Sequence, residues 1–515
     1  MLIGGEALKM TTRLEMKNMT KMYGNFIAND SISLSLKAGE VHAVVGENGA
    51  GKTTLMRMLY GMEQPTSGEI FIDGKRVNFA NPNDAIKNRI GMVHQHFMLF
   101  PDFTAAENIV IGHEPRQAGF FNRKQATKLV QELVEKYQIP VRPNAKTADC
   151  SVGEQQRIEI LKVLYQGADI IILDEPSAVL TPIEVKGLLK TIRQLADQGK
   201  SIILITHKLR EVMEVADHMT VLRNGKVTGT VSKEQTSVDE LAKLMVGREL
   251  HDLTERVQMN GDAILEIKNV TVQEKGNKPL LDDISLTVNR GEIVGIAGVS
   301  GNGQSELLQV ISGLRSVKKG TIHVDGKDMT NQSVLSIRQA GLSHIPEDRY
   351  LWGAAKQATV EETALMGYHK KPQYRSYSFL RKAPFRKLVN GWIEKFEIKA
   401  GSLEEKAGNL SGGNLQKLIV ARELGQEMPI LIAAEPTRGV DIGAMEYIHE
   451  ALIEKRNKGE AVLLVSSELS EIMSLSDRIL VMYEGKIVGE VNRQNATEEA
   501  ISVLMAGGNH HESKK

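Results

Sequence analysis

Gly46-Glu47-Asn48-Gly49-Ala50-Gly51-Lys52-Thr53 is a complete G-x-x-x-x-G-K-[ST] loop. It stands between an apolar, strand-like run from Val41 to Val45 and a helix-like run from Thr54 to Tyr60. Glycines at this spacing let backbone N–H groups curl around phosphate oxygens, Lys52 reaches the β- and γ-phosphates, and the Thr53 hydroxyl is placed to ligate Mg²⁺. The helix that follows adds the positive end of its dipole. The loop predicts a nucleoside triphosphate site and, alone, does not say which machine it serves.

A chain of 515 residues exceeds a single core, and two to four domains are expected at roughly 100–200 residues each. With 64 basic and 64 acidic residues there is no global basic field, so nucleic acid is not an expected partner. Cys150 is the single cysteine, which excludes an intramolecular disulfide and suits a reducing cytosol. No apolar run approaches the roughly 18–20 residues of a spanning helix, and Ile170 to Leu173 and Ile430 to Ala434 have the length of buried strands. Met1 to Met10 lacks a charged-then-apolar leader pattern, and Met10 is an equally good start. Work at a membrane would require other subunits to supply the spanning part.

The chain repeats itself. Leu14-Glu15-Met16-Lys17-Asn18 recurs as Leu265-Glu266-Ile267-Lys268-Asn269, and Gly46 corresponds to Gly298, 252 residues on. Ser151 pairs with Ser411, Asp174 with Ala434, His207 with Ser467 and Leu244 with Leu504, each 260 residues on. The second copy therefore carries about eight extra residues between its phosphate loop and position 411. Alternating stretches at Ile32 to Leu36 and Ile284 to Val288 read as strands. Ala126, Leu129, Val130, Leu133, Val134 and Tyr137, echoed by Leu388, Val389, Trp392, Ile393 and Phe396, read as core-facing helix stripes. Asn224-Gly225 and Glu484-Gly485 mark hairpin turns.

Ile170 to Leu173 runs into Asp174-Glu175-Pro176, a buried strand ending in two carboxylates, which places Asp174 toward Mg²⁺ and Glu175 toward an attacking water. Ser151-Val152-Gly153-Glu154-Gln155-Gln156-Arg157 precedes it, with Leu410-Ser411-Gly412-Gly413-Asn414 as the twin, and His207 ends the strand Ser201 to Thr206. This ordered set, in two copies over nearly the whole chain, resembles the tandem ATP-binding subunits of ABC importers. The resemblance implies an α/β fold of two tandem P-loop ABC-type nucleotide-binding domains packed head to tail. Each would have a mixed β-sheet core, an antiparallel β subdomain and an α-helical subdomain. It also implies that Ser411, Gly412, Gly413 and Asn414 of the signature loop meet ATP held by Gly46, Asn48, Gly49, Gly51, Lys52, Thr53 and Thr54. Tyr23 would stack on adenine, Gln95 would sense Mg²⁺ and water, and Asp441 would serve the loop after the second Glu-Pro. The domain boundaries expected are 12–250, a linker 251–262, 263–507 and a disordered tail 508–515.

The copies are unequal. The second loop keeps Gly298, Gly303 and Ser305 but has Gln304 where the lysine belongs, which forfeits charge-assisted hydrogen bonds of roughly 1.5–3 kcal/mol each. Ala434 replaces the Mg²⁺-directed aspartate, Ser467 replaces the histidine, and Glu435 persists. The glutamine region reads His344-Ile345-Pro346-Glu347-Asp348-Arg349, and no aromatic occupies Val272 to Lys275. The first signature, Cys150-Ser151-Val152-Gly153-Glu154, has lost its leucine and one glycine and has gained an acid near where phosphate would sit, and Thr181 stands where the second half has Asp441. One hydrolytic site is expected, built from Lys52, Thr53, Gln95, Asp174, Glu175 and His207 with the second half's signature. The other pocket is expected to hold nucleotide weakly or without turnover.

The tandem layout is similar to that of monosaccharide and nucleoside importers. His94-Gln95-His96-Phe97-Met98-Leu99 and the stretch His344 to Arg349 look like the nucleoside branch. Uptake of purine nucleosides such as guanosine is the expectation, with monosaccharide uptake the alternative. The resemblance implies two integral-membrane permeases and an extracytoplasmic substrate-binding lipoprotein as partners, a peripheral position on the cytoplasmic face, and no direct contact with cargo. A soluble ATPase acting on ribosomes fits less well, because such proteins carry two well-formed halves and a long charged linker. Flanking histidines His94 and His96 lack a third ligand for a metal. Replacing Glu175 by Gln is expected to abolish nearly all steady-state phosphate release from ATP; substantial residual turnover would overturn the one-site account.

Overall fold

In the computed structural model the described residues are 12–47, 49–95, 97–177, 180, 182–247, 256, 261–273, 278–299, 301–377, 379–505 and 507–508. The chain divides into two compact units, Met1–Leu250 and His251–Lys515. Most of the expected linker 251–262 and of the tail 508–515 lies outside the described residues; Arg256 hydrogen-bonds the Ser476 carbonyl (3.1 Å) and Asp477 (3.3 Å) of the second unit.

In the first unit, long alternating sequences fold into an antiparallel sheet ordered Phe26–Lys37, Thr12–Tyr23, Ser67–Ile72, Lys75–Val77. Its second sheet has six strands in the order Lys226–Ser232, His218–Arg223, Val41–Gly46, Ser201–Thr206, Ile170–Asp174, Ile90–Val93. All but the first of these run parallel. Parallel strands buried on both faces require unbroken apolar runs, and Ile170–Asp174 and Ser201–Thr206 are buried at every position. The hairpin at the antiparallel edge turns through Asn224 (φ 48°) and Gly225 (φ 75°), the pair of positive angles a two-residue hairpin turn needs. A helical layer holds Ala105–Val110, Arg123–Tyr137 and Val152–Tyr165; Ala126, Val130 and Tyr137 of the expected stripe are buried there.

The second unit repeats this plan, with a sheet ordered Leu342–Ile345, Ile430–Ala434, Ala461–Val465, Ile293–Ala297, Arg478–Tyr483, Lys486–Asn492. Matching capping boxes locate most of the extra residues: Gln95 and Thr104 are 9 apart, whereas Glu347 and Thr359 are 12 apart. Thr104 to the hairpin strand at Arg116 spans 12, and Thr359 to its counterpart at Arg375 spans 16. The first insertion makes room for a wide helical turn of π geometry, Arg349–Gly353.

An aromatic cluster closes the second unit's helical layer. Tyr368 packs edge-on against Trp392 (5.4 Å between ring centroids) and Tyr374 (5.9 Å), and Tyr374 meets Phe385 (5.5 Å). The Tyr368 hydroxyl donates to the Arg422 carbonyl at 3.0 Å, so its burial leaves no polar group unsatisfied. Trp392→Ala is expected to destabilise the second unit by about 3–5 kcal/mol, read as a lower midpoint for that unit's transition in urea.

Candidate functional site

Five parallel strands place their C-terminal ends on one edge of the first unit's sheet, the edge where ligands bind in open α/β folds. Gly46, Val93, Asp174, Thr206 and Arg223 end those strands. The sequence-predicted residues Lys52, Thr53, Gln95, Asp174, Glu175 and His207 follow directly from them. Gly51 caps the helix Lys52–Leu59 with φ 97°. A Cβ there would lie 2.5 Å from Asn29 Nδ2 and 2.6 Å from the Ala28 carbonyl, so only glycine fits. The Asn29 amide, which the sequence did not single out, donates to the Gly51 carbonyl at 3.0 Å and steadies the loop from the antiparallel sheet. Asn48 lies outside the described residues.

Lys52 is buried at 5% exposure, and its ammonium donates to the Gly46 (2.7 Å) and Glu47 (3.0 Å) carbonyls. Burial lowers its pKa, and the charges of Glu175, Asp174 and Glu47 oppose that shift. Asp174 is hydrogen-bonded to the Thr53 hydroxyl; burial and the neighbouring Glu175 charge raise its pKa to about 6 against the pull of Lys52. Glu175 sits in the left-handed region at φ 46°, a conformation costing a side-chain-bearing residue about 1–3 kcal/mol. Its N–H donates to the Ile205 carbonyl (2.9 Å), and its carboxylate faces His207 Nδ1 (3.1 Å) and accepts from Gln95 Nε2 (3.0 Å). The His207 hydrogen bond, opposed by burial, holds the Glu175 pKa below the ordinary value. Tyr23 lies half-exposed beside this loop, its hydroxyl bonded to Glu63 and Thr54.

The second unit keeps the backbone and loses the charges. Gly303 repeats the left-handed cap (φ 106°) of the helix Gln304–Ile311, while Gln304 is buried and donates to the Val299 carbonyl at 3.2 Å. Ala434 is fully buried, and Glu435 repeats the left-handed angle at φ 47°. Its carboxylate accepts from the Ser467 N–H (2.6 Å) and hydroxyl (3.0 Å). Burial pushes the Glu435 pKa up to about 7 although both Ser467 hydrogen bonds pull it down.

Strand register identifies a residue that motif comparison left unassigned. Ile90 pairs with Ile170 and Val93 with Leu173, as Leu342 pairs with Ile430 and Ile345 with Ala433. Gln95 and Glu347 each stand two residues past their strand, so Glu347 is the counterpart of Gln95. It accepts from the Ser305 hydroxyl at 2.6 Å. The signal was present in the sequence as the 252-residue spacing shared with the phosphate loops.

The signature loops also differ in charge. Ser411 caps the helix Gly412–Leu424, its hydroxyl accepting from the Asn414 side-chain amide (2.8 Å). A Cβ on Gly413 would lie 2.6 Å from the Gly439 carbonyl. Glu154, the acid expected near phosphate, is instead turned into Arg142, with contacts of 2.7 and 3.0 Å, and Arg142 holds its pKa low. The charge is therefore compensated within the first unit, because a carboxylate buried this far requires a partner. Asp441 caps the helix Ile442–Asn457 through the Ala444 N–H (2.8 Å) and pairs with Lys417 (2.5 Å). Thr181 and His96 lie outside the described residues, and His94 packs edge-on to Tyr60.

A family model described as ABC transporter matches residues 29–178 and 281–438. The chain belongs to the ABC transporter family. It is a tandem ABC protein, an ATP-binding ATPase coupled to transport, in which each unit is one nucleotide-binding cassette. Guanosine import ATP-binding protein NupO of Bacillus subtilis (strain 168) is 48% identical over 98% of this chain and 99% of its own length. Nucleoside import ATP-binding protein NupA of Lactococcus lactis subsp. cremoris (strain MG1363) is 45% identical over 97% and 99%. Glucose import ATP-binding protein TsgD13 of Haloferax volcanii is 43% identical over 96% of both. The solved structure of the archaeal ribosome recycling factor aABCE1 in complex with the stalk protein aP1 aligns at TM-score 0.63 and 19% identity over 92% of this chain and 90% of that one, a likeness of fold alone. Among the described residues no helix is long and apolar enough to cross a membrane.

Glu435 binds its proton more tightly folded than unfolded, so it makes the second cassette less stable as pH rises from about 4.5 through about 7. Glu435→Gln is expected to remove that share of the slope and to raise the cassette's urea midpoint relative to wild type above pH 7; identical pH profiles would refute it.

Proposed function

We propose that this chain hydrolyses ATP to energise uptake of nucleosides, with purine nucleosides such as guanosine as the cargo. It works on the cytoplasmic face of the cell membrane with two integral-membrane permease subunits and an extracytoplasmic substrate-binding lipoprotein. The observation that carries the reading is near full-length likeness, at 48% and 45% identity, to proteins named for guanosine and nucleoside import. Monosaccharide uptake is the second reading, favoured by the 43% identity to a protein named for glucose import.

For the chemistry, Lys52 exchanges its two loop carbonyls for the β- and γ-phosphates of ATP. Thr53 and Asp174 present hard oxygen donors side by side, and the raised Asp174 pKa marks a spot short of positive charge, so these residues fit a Mg²⁺ ion, with Gln95 as a further donor. When bound, Mg²⁺ neutralises charge developing on the phosphates. Glu175 takes the proton of the attacking water, its carboxylate ionised and aimed by His207. Tyr23 offers its ring to adenine. Hydrolysis needs both the first cassette's phosphate machinery and the second cassette's signature, Ser411 to Asn414, and the pocket of the second cassette contributes binding without turnover. The unequal wear of the two copies supports this division: lysine, aspartate and histidine are kept where the partner signature is intact. By the same reading 12–250 and 263–507 are the working domains.

Uptake of radiolabelled guanosine and ribose by a strain lacking this gene tests the cargo. Loss of guanosine uptake with ribose uptake intact, restored by the gene but not by its Glu175→Gln variant, is expected. Loss of ribose uptake alone would transfer the assignment to monosaccharides.

A further inference from the structure

Pro346-Glu347-Asp348-Arg349 has no part in the hydrolytic chemistry described above, yet each of its three charged side chains is engaged. Glu347 holds the Ser305 hydroxyl at the start of the helix Gln304–Ile311. Asp348 accepts from the N–H groups of Tyr350 (2.8 Å) and Leu351 (2.9 Å) and so opens the wide turn Arg349–Gly353. Arg349 donates through Nη1 to the Gly412 carbonyl at 2.8 Å and to the Arg438 carbonyl at 3.1 Å.

Those two carbonyls belong to different loops. Gly412 is in the signature, one residue past Ser411, and Arg438 lies in the turn that leads to Asp441. The loops touch, since a Cβ on Gly413 would lie 2.6 Å from the Gly439 carbonyl. The guanidinium lies against both glycines: a Cβ on Gly412 would be 3.3 Å from its Cζ, and one on Gly439 3.4 Å from its Nη2. Both bonds leave one nitrogen, Nη1, while the guanidinium plane lies against the two glycines, and the guanidinium keeps its donors at every physiological pH.

We propose that Arg349 is a positioning residue for ATP hydrolysis, locking the signature loop and the neighbouring turn into one rigid surface that presents Ser411 and the N–H groups of Gly412 and Gly413 to the γ-phosphate. This rests on the reading that the second cassette's signature completes the first cassette's site. Ser411 gains direction from the lock: its hydroxyl is held by Asn414 on one side, and the carbonyl of the next residue is held by Arg349 on the other. The signature helix is tied down further by Gln416, whose amide donates to the Glu435 (3.1 Å) and Pro436 (3.2 Å) carbonyls. In the first cassette the same place, two residues past Gln95, is Phe97, which has no side-chain donor. The lock is thus present beside the intact signature and missing beside the worn one. Its other end is anchored through Glu347 to the second cassette's own phosphate loop, so the strap reaches from one nucleotide-binding element to another.

The test compares steady-state ATP hydrolysis by the full-length chain carrying Arg349→Gln, Arg349→Lys or Ser411→Ala. Positioning of the signature against the γ-phosphate acts on the chemical step, so Arg349→Gln is expected to lower kcat about tenfold with KM for ATP within about threefold. Arg349→Lys, which keeps the charge and N–H donors but not the planar group packed against Gly412 and Gly439, is expected to recover part of the loss. Wild-type kcat in Arg349→Gln, or a rise in KM with kcat unchanged, overturns the proposal when Ser411→Ala has lost its kcat. Wild-type kcat in Ser411→Ala overturns the shared-site reading and this proposal with it. Should Arg349→Gln melt below the assay temperature, the folded Arg349→Lys variant decides by the same criterion: reduced kcat at unchanged KM supports the lock, and unchanged kcat overturns it.

Discussion

A buried ammonium sets the terms for the first cassette. Lys52 lies out of water against two carbonyls of its own loop, and a cation in that position is tolerable only with anions close by. Asp174 and Glu175 supply them from the end of the adjoining strand system: burial and the Glu175 charge draw Asp174 up toward neutrality, His207 keeps Glu175 ionised, and the two carboxylates offset the burial that lowers the Lys52 pKa. The glycine turns, the Asn29 brace and the parallel register serve to keep these groups within reach of one another.

The second cassette shows the same scaffold after the cation is removed. With Gln304 in place of lysine and Ser467 in place of histidine, burial, helped by the Glu471 charge, carries the Glu435 pKa to about 7 against the Ser467 hydrogen bonds and Arg438. The left-handed backbone at Glu435 and the left-handed cap at Gly303 persist unchanged, because strand register and close packing, rather than the reaction, hold them in place. The two cassettes differ in these side chains and share the fold that aims them.

Much of this was readable in the chain. The phosphate loop, the two-carboxylate strand, the repeat and the hairpin turns are local patterns, each fixed by a few neighbouring residues, and they stand where their sequences put them. The helix stripes at 126–137 and 388–396 likewise face the core. What stayed hidden depended on partners far along the chain. Strand pairing matches Glu347 to Gln95 at the 252-residue spacing of the phosphate loops, whereas the shared His residues at 94 and 344 invite an alignment two places out of step. Glu154 reads from its motif as an acid near where phosphate would sit, and nothing in the motif announces its partner Arg142 twelve residues earlier. Arg349 carried no visible role until the Gly412 and Arg438 carbonyls were brought beside it.

The contact between Gln95 and Glu175 has a further consequence. The principal groups of the first site are bonded to one another or to their own loop: lysine to carbonyls, threonine to aspartate, glutamate to glutamine and histidine. ATP bound by these groups would exchange one set of hydrogen bonds for another, so the net gain would be smaller than a count of phosphate contacts suggests. The site thus keeps its own place-holders, and a ligand there competes with bonds the chain already makes to itself.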